Sequence, residues 1–214
     1  MTQIGFVICE IAFLLASIIF VREKKRRNPF KIRFFISSLL MFALMIITSS
    51  SVKMDFYVAD MFFQVLIAVC MVIYLKLNWD ISFSIAIYDT IWARVFWWIL
   101  IEVQKILLAI WAYVNGDPKP IWYLSALVCF LALSLFILAK TVARWIPENR
   151  SKIGPRQLLS AVLIATIFEN LAFLPELRTL STGIDKWMIF FLLQLICIFI
   201  LYLQNELFRK SAMI

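Results

Sequence analysis

Residues Ile81 to Tyr113 read ISFSIAIYDTIWARVFWWILIEVQKILLAIWAY, a stretch that is apolar along most of its length and contains neither Pro nor Gly. A helix of this length extends about 50 Å, whereas the hydrocarbon core of a bilayer is about 30 Å thick. The stretch also contains four ionisable residues: Asp89, Arg94, Glu102 and Lys105. Charges at membrane depth are costly, so they face protein or water and suggest function. The pattern predicts a long, tilted membrane helix with a polar stripe.

The composition of the whole chain is typical of an integral membrane protein. Of its 214 residues, 64% are hydrophobic. The net charge is +8, and most basic residues lie in the links between apolar segments. The positive-inside rule accounts for them there, so nucleic acid is not an expected partner. The four cysteines lie inside apolar segments without CxxC spacing, and we expect buried free thiols. They are Cys9, Cys70, Cys129 and Cys197.

Residue types and motifs that enzymes need are missing from the sequence. There is no His, the commonest catalytic base and metal ligand. No glycine-rich phosphate loop and no hydrolase motif occurs. We therefore expect no catalytic residue, no metal site and no cofactor, and we do not expect an enzyme.

Seven apolar spans alternate with short polar links. They cover about residues 4–21, 34–50, 58–75, 81–113, 121–139, 158–174 and 187–208. If the N-terminus is outside, fifteen of the 21 Lys and Arg residues lie on the inner side and four on the outer side. We predict an all-α, polytopic bundle of about seven membrane helices that forms a single domain over residues 1–214. Its N-terminus is out, its C-terminus is in, and it lies in a bacterial plasma membrane.

This orientation places four ionisable residues of three helices in the outer half of the bilayer, about 9–16 Å below its surface. They are Glu10, Glu102, Lys105 and Glu169. Arg94 lies nearer the midplane and Asp89 in the inner half. At 100° per residue, Arg94, Trp98, Glu102 and Lys105 share one stripe of the fourth helix, and Asp89 points away from it.

Three interpretations of these charges stay open. They can form structural ion pairs, such as Glu102 with Lys105 at i,i+3, or Arg94 with a carboxylate of another helix. They can line a ligand-binding cavity open to the outside, or form a proton or ion relay. The predicted ligand contacts are Glu10, Asp60, Glu102, Lys105 and Glu169, with Trp111, Trp122 and Trp187 at the rim. Asp89, Arg94 and Asn170 complete an intramembrane polar network.

The order of features resembles a known kind of receptor. A first helix contains Cys9-Glu10-Ile11, a basic cluster precedes the aromatic FKIRFF, and a Lys-Leu-Asn-Trp-Asp turn precedes the long fourth helix. This layout resembles the N-terminal sensor region of Gram-positive peptide-pheromone receptor kinases, the accessory-gene-regulator type with a kinase part of the GHKL group. The resemblance spans most of the chain. The phospho-accepting His and the ATP-binding motifs of such kinases are absent from these residues, so we expect no phosphoryl transfer.

The resemblance implies a sensor in a two-component, quorum-sensing system. We expect a non-catalytic membrane receptor that detects an extracellular peptide or small molecule and signals through its last helix, which ends QNELFRK. The expected partners are the lipid bilayer, the ligand, a second copy of the chain and a cytoplasmic kinase. Two alternatives stay open: a small-molecule uptake subunit of a transporter, or a structural or immunity subunit that pairs with another membrane protein.

Overall fold

The computed structural model describes residues 3–22, 24–51, 57–115, 120–140, 153–171 and 184–211. Within these ranges the chain forms seven α-helices and no strand. The helices are α1 (Gln3–Val21), α2 (Phe30–Ser51), α3 (Tyr57–Asn78), α4 (Phe83–Asn115), α5 (Pro120–Lys140), α6 (Pro155–Leu171) and α7 (Ile184–Ser211). Each helix overlaps one predicted span, so the all-helical prediction is confirmed.

The helix starts follow from local capping. The hydroxyl of Ser82 accepts a hydrogen bond from the backbone N–H of Ile85 at 3.3 Å. The carbonyl of Ser82 accepts one from the N–H of Ala86 at 3.0 Å. Ser is a favoured N-cap residue, which is why α4 begins at Phe83 rather than at the predicted Ile81. Both α5 and α6 begin at a proline, whose fixed φ suits the first turn of a helix and whose missing N–H costs nothing there.

The chain divides into two compact units. The first unit comprises Met1–Arg94 and Leu135–Ser151, and the second comprises Val95–Ser134 and Lys152–Ile214. Helices α1, α2 and α3 belong to the first unit, α6 and α7 to the second, and α4 and α5 contribute residues to both. The single domain over residues 1–214 stays a prediction.

In the first unit, α2 packs against α3, and α1 contacts both. The interior is formed by side chains that are almost inaccessible to solvent. They include Phe13 and Ala16 of α1, Met45 of α2, and Met71 and Leu75 of α3. Phe and Met fill the space between the three helices, and Ala16 allows α1 to approach its neighbours closely.

In the second unit, α6 packs against α7. Ala161 of α6 is fully buried, as are Cys197 and Leu201 of α7. Cys197 is thus the buried free thiol that was predicted, whereas Cys70 is partly exposed and Cys129 is exposed. The prediction of a buried thiol is wrong for Cys129 because it lies on the outward stripe of α5 with Val128, Leu133 and Phe136.

Large apolar side chains also cover the outside of the helices. On α2 the exposed stripe follows helical spacing and comprises Ile32, Phe35, Ile36, Leu39, Leu40, Ile46 and Ile47. On α3 it comprises Phe62, Val65, Val69, Ile73 and Leu77. Soluble monomers rarely expose contiguous apolar patches of this kind.

One helix among the described residues, α2, is long and apolar enough to cross a membrane. The qualifying stretch is Phe30–Ile47, of which 17% is buried inside the protein. Shorter apolar stretches occur in α1, α3, α5, α6 and α7. The length and composition of α2 support an association of this chain with a membrane.

Candidate functional site

Glu10 is a buried carboxylate in an otherwise apolar helix. It lies in the middle of α1, and its exposed fraction is 4%. Ala12 and Phe13, its near neighbours along α1, are buried as well. A carboxylate in such surroundings is costly unless it is protonated or has a polar partner. Glu10 does take part in a hydrogen bond or another electrostatic interaction.

Asp89 is the most deeply buried acidic residue described. It lies on α4 in the first unit, has no exposed surface, and is flanked by Tyr88 and Thr90, both buried. The hydroxyl of Thr90 donates to the carbonyl of Ala86 at 2.8 Å, which satisfies it within the helix. Asp89 is therefore on the fully buried face of α4, whereas Arg94, one and a half turns later, is partly exposed.

The second unit contains two of the predicted ligand contacts. Lys105 of α4 is partly exposed, and Trp122 of α5 is 69% exposed. An exposed Trp near a helix end is typical of the membrane–water interface, where an amphipathic ring is favoured. The other predicted residues, namely Asp60, Glu102, Trp111, Glu169, Asn170 and Trp187, have side chains outside the described part of the structure.

Glu10, Asp89 and Arg94 lie in the first unit, and Lys105 and Trp122 lie in the second. The shared pocket of Glu10, Lys105 and Trp122 stays a prediction, as does the polar network of Asp89, Arg94 and Asn170. No group of three or more His, Cys, Asp and Glu side chains within the described ranges is arranged to hold a metal ion.

Asn78 forms the centre of a polar network that the sequence did not predict. Its side-chain amide, which is fully buried, donates to the hydroxyl of Ser37 at 2.8 Å and to the carbonyl of Tyr74 at 2.9 Å. Ser37 in turn donates to the carbonyl of Arg33 at 2.7 Å. One helical turn away, the hydroxyls of Ser38 and Tyr74 are 3.1 Å apart. These bonds, which we call the Asn78 network, join α2 to the last turn of α3.

Trp79 follows Asn78 and closes an aromatic cluster. Its ring centroid lies 5.7 Å from that of Phe30 and 6.2 Å from those of Phe34 and Tyr74, in edge-to-face geometry with each. Edge-to-face contacts at such distances are favourable, and the Trp79 side chain is 2% exposed. The sequence had indicated only a tight turn at residues 76–80, and one clue was available: a Trp beside an Asn is unusual in a solvated turn.

The polypeptide after α1 is fastened to this turn by backbone hydrogen bonds. The N–H of Arg27 donates to the carbonyl of Asn78 at 3.0 Å, and the N–H of Asp80 donates to the carbonyl of Lys25 at 2.8 Å. This is an isolated antiparallel bridge between Arg26 and Trp79. The guanidinium of Arg27 also lies 3.3 Å from the carboxylate of Asp80. The basic segment between α1 and α2 is therefore held in one position by α3.

Lys76 is occupied by local contacts in the same turn. Its ammonium group donates to the carbonyl of Ile81 and lies 5.3 Å from the ring centroid of Phe83. The contact with Phe83 has cation–π geometry, and the bond to Ile81 closes the link between α3 and α4. Lys76 therefore stabilises the turn.

Gln204 joins α7 to the first turns of α6 in the second unit. Its side-chain amide donates to the carbonyl of Gln157 at 2.8 Å and to the hydroxyl of Ser160. Ser160 donates within its own helix, to the carbonyl of Arg156 at 3.0 Å or of Gln157 at 3.1 Å. Gln204 is 8% exposed, so these bonds are shielded from water. We call this contact the Gln204 clasp.

No protein-family model, no curated protein and no solved structure matches this chain. The resemblance to peptide-pheromone receptor kinases therefore stays a prediction. What the described residues define is a helical protein with a membrane-length helix, two buried acidic residues and two hydrogen-bonded helix junctions.

Proposed function

We propose that this chain is a multi-pass, non-catalytic receptor module of a bacterial plasma membrane. In this proposal it detects an extracellular peptide or small molecule and signals through α7 to a cytoplasmic partner. The observation that carries the proposal is the burial of Glu10 within the apolar helix α1. Ionisable groups at membrane depth are retained where they serve a function, such as ligand recognition.

A multi-pass arrangement is supported by the outward apolar stripes of α2 and α3 and by their counterparts on α5, α6 and α7. On α7 the exposed apolar residues include Met188, Leu192, Ile196, Phe199 and Leu203, again at helical spacing. Side chains of this kind are stable against lipid chains and unfavourable in water. The fifteen-to-four distribution of basic residues supports an outer N-terminus and an inner C-terminus.

A signalling route through α7 is supported by the Gln204 clasp. It lies in the last part of α7, at the end assigned to the cytoplasm, and a single side chain makes both hydrogen bonds. A ligand shifts a conformational equilibrium only by the difference in its affinity for the two states.

The test is ligand-dependent thermal stabilisation of the full chain purified in detergent. A ligand that binds the folded state raises the unfolding temperature by mass action. The probe is a peptide-size fraction of medium conditioned by cells that carry the gene, compared with the same fraction of fresh medium. We expect a rise in the unfolding temperature with the first fraction only.

The matched variants are Glu10→Gln with Lys105→Met, against Glu206→Gln as a control. Glu206 is a partly exposed Glu near the inner end of α7, far along the helix from the predicted contacts. We expect the double variant to lose the thermal shift and the control to keep it. An unchanged shift in a folded double variant contradicts the site. Accumulation of the active fraction inside vesicles would indicate transport instead.

A further inference from the structure

A strongly basic surface lies between the end of α1 and the first turn of α2. It consists of Arg22, Lys24, Lys25, Arg26, Arg27, Lys31 and Arg33. Five of these side chains are exposed and two are partly exposed, the latter being Lys24 and Arg27. The carboxylate of Asp80, which lies beside this segment, is already paired with Arg27. This basic surface therefore has a large excess of positive charge.

The backbone of residues 25–27, in the middle of the basic surface, is held against residues 78–80 by the Arg26–Trp79 bridge. Arg26 is further oriented by Phe30, since its guanidinium carbon lies 4.7 Å from the centroid of that ring. A charged side chain held in place by an aromatic ring loses less freedom when it binds an anion than a side chain moving freely in solvent.

The basic surface is continuous with an apolar face. Lys31 and Arg33 lie in the first turn of α2, and the exposed side chains of Ile32, Phe35 and Ile36 alternate with them or follow directly. Positive charge thus borders the apolar stripe of the helix that is long enough to cross a membrane. The positive end of the α2 dipole adds to the attraction for anions at this point.

We propose that this basic surface binds the phosphate headgroup of anionic phospholipids of the inner leaflet, with the acyl chains lying along the exposed stripe of α2. Arg26 and Lys31 are the residues assigned to the headgroup. Clusters of four to eight basic residues next to a membrane helix recognise anionic lipids in this way. The proposal rests on the orientation given above, with the C-terminus inside, and is independent of any receptor ligand.

The experiment counts the lipids retained by the purified full chain after extraction from vesicles of equal parts phosphatidylglycerol and phosphatidylcholine. Native mass spectrometry gives the ratio of the two lipids bound. We expect the chain to retain phosphatidylglycerol in preference, and the preference to fall as ionic strength rises. Soluble glycerol phosphate at the same headgroup concentration is expected not to displace it, since it lacks the acyl chains.

The decisive variant is Arg26→Gln with Lys31→Gln. Because one basic residue near an anionic surface contributes about a fivefold factor, we expect the loss of both to lower the preference about twenty-five-fold. The matched control is Lys140→Gln with Arg156→Gln, which removes the same charge from exposed residues on the same predicted side. The control is expected to keep the preference, as is Arg26→Lys with Lys31→Arg.

Equal losses in the decisive and control variants would overturn the proposal, since the preference would then follow net charge. So would a wild-type chain without preference, or displacement by glycerol phosphate. If the decisive variant does not fold, Lys25→Gln with Lys31→Gln leaves the Arg26–Phe30 contact intact and is expected to reduce the preference about fivefold. A reporter fused to the C-terminus tests the orientation separately. An outer C-terminus would contradict the assignment of the basic surface to the inner leaflet, and the lipid preference itself could still be measured.

Discussion

The Asn78 network of the first unit and the Gln204 clasp of the second unit are both polar junctions between helices, yet they differ in redundancy. At Asn78, side-chain bonds, two backbone bonds to residues 25 and 27, and a four-ring cluster act together. At Gln204, one side chain makes both of the interhelical hydrogen bonds described above. We predict that a junction held by several kinds of contact tolerates the loss of one of them, whereas the clasp opens when Gln204 loses its two bonds. The first suits an anchor and the second suits a moving part.

The largest expected effect is the loss of the aromatic cluster. Trp79→Ala removes a side chain that contacts Phe30, Phe34 and Tyr74 and leaves a cavity, so we expect the free energy of unfolding to fall by about 3–5 kcal/mol. Denaturant unfolding in detergent measures it. Trp122→Ala is the matched control, because Trp122 is 69% exposed, and it should change stability by less than about 0.5 kcal/mol. Equal losses would mean that Trp79 is not a core residue.

The second effect concerns the hydrogen bonds of Asn78. Asn78→Leu removes the amide that donates to Ser37 and to the carbonyl of Tyr74, with an expected loss of about 1–3 kcal/mol. The loss is limited because the side-chain oxygen of Asn78 has no hydrogen-bond partner among the described residues, so its removal costs nothing. A double-mutant cycle with Ser37→Ala should give a coupling energy of about 0.5–1.5 kcal/mol. Additive losses would contradict the bond.

The third effect separates the two junctions. Gln204→Leu removes the clasp, and we expect a loss of about 1 kcal/mol, since interhelical hydrogen bonds in membrane proteins contribute modestly. Tyr202→Leu is the control, because Tyr202 lies on the same part of α7 and its side chain is 45% exposed. The control variant should be close to neutral. Proteolysis at the end of α7 should also become faster in Gln204→Leu, and an unchanged rate would argue against a moving end.

The smallest effect is that of the Arg27–Asp80 ion pair. Its partners are 34% and 59% exposed, so solvent screens the attraction. Asp80→Asn should therefore reduce stability by less than about 1 kcal/mol, and the difference from wild type should shrink at high salt. Thermal unfolding at low and high ionic strength gives the comparison. A loss as large as that of Asn78→Leu would mean that the ion pair, and not the buried network, holds the segment.

Helix positions could be predicted because each span is an unbroken apolar segment bounded by charges, Pro or short polar links. Departures occur where a particular side chain acts locally. Helix α4 starts later because Ser82 caps it, and α3 continues to Asn78, three residues beyond the predicted end, because the amide of Asn78 bonds back to Tyr74. A hydropathy pattern shows neither the Ser82 cap nor the hydrogen bond from Asn78 to Tyr74.

The candidate site was predictable in part. Glu10 and Asp89 could be singled out as charges within apolar segments, and both are buried. Their partners could not be named, because contacts between helices depend on rotation about each helix axis, which composition does not fix. The same reason explains why Asn78 and Trp79 were interpreted as turn residues.

By itself, the sequence determined an all-helical chain with the approximate positions of its helices, its abundance of apolar surface and its concentration of basic residues at one end of α2. These properties follow from local composition and spacing. Only the tertiary structure decided that the basic segment at residues 25–27 pairs with residues 78–80, and that Gln204 reaches the start of α6. Those contacts join residues that are about fifty apart in the chain, and they form only when the helices pack and the buried polar groups find partners.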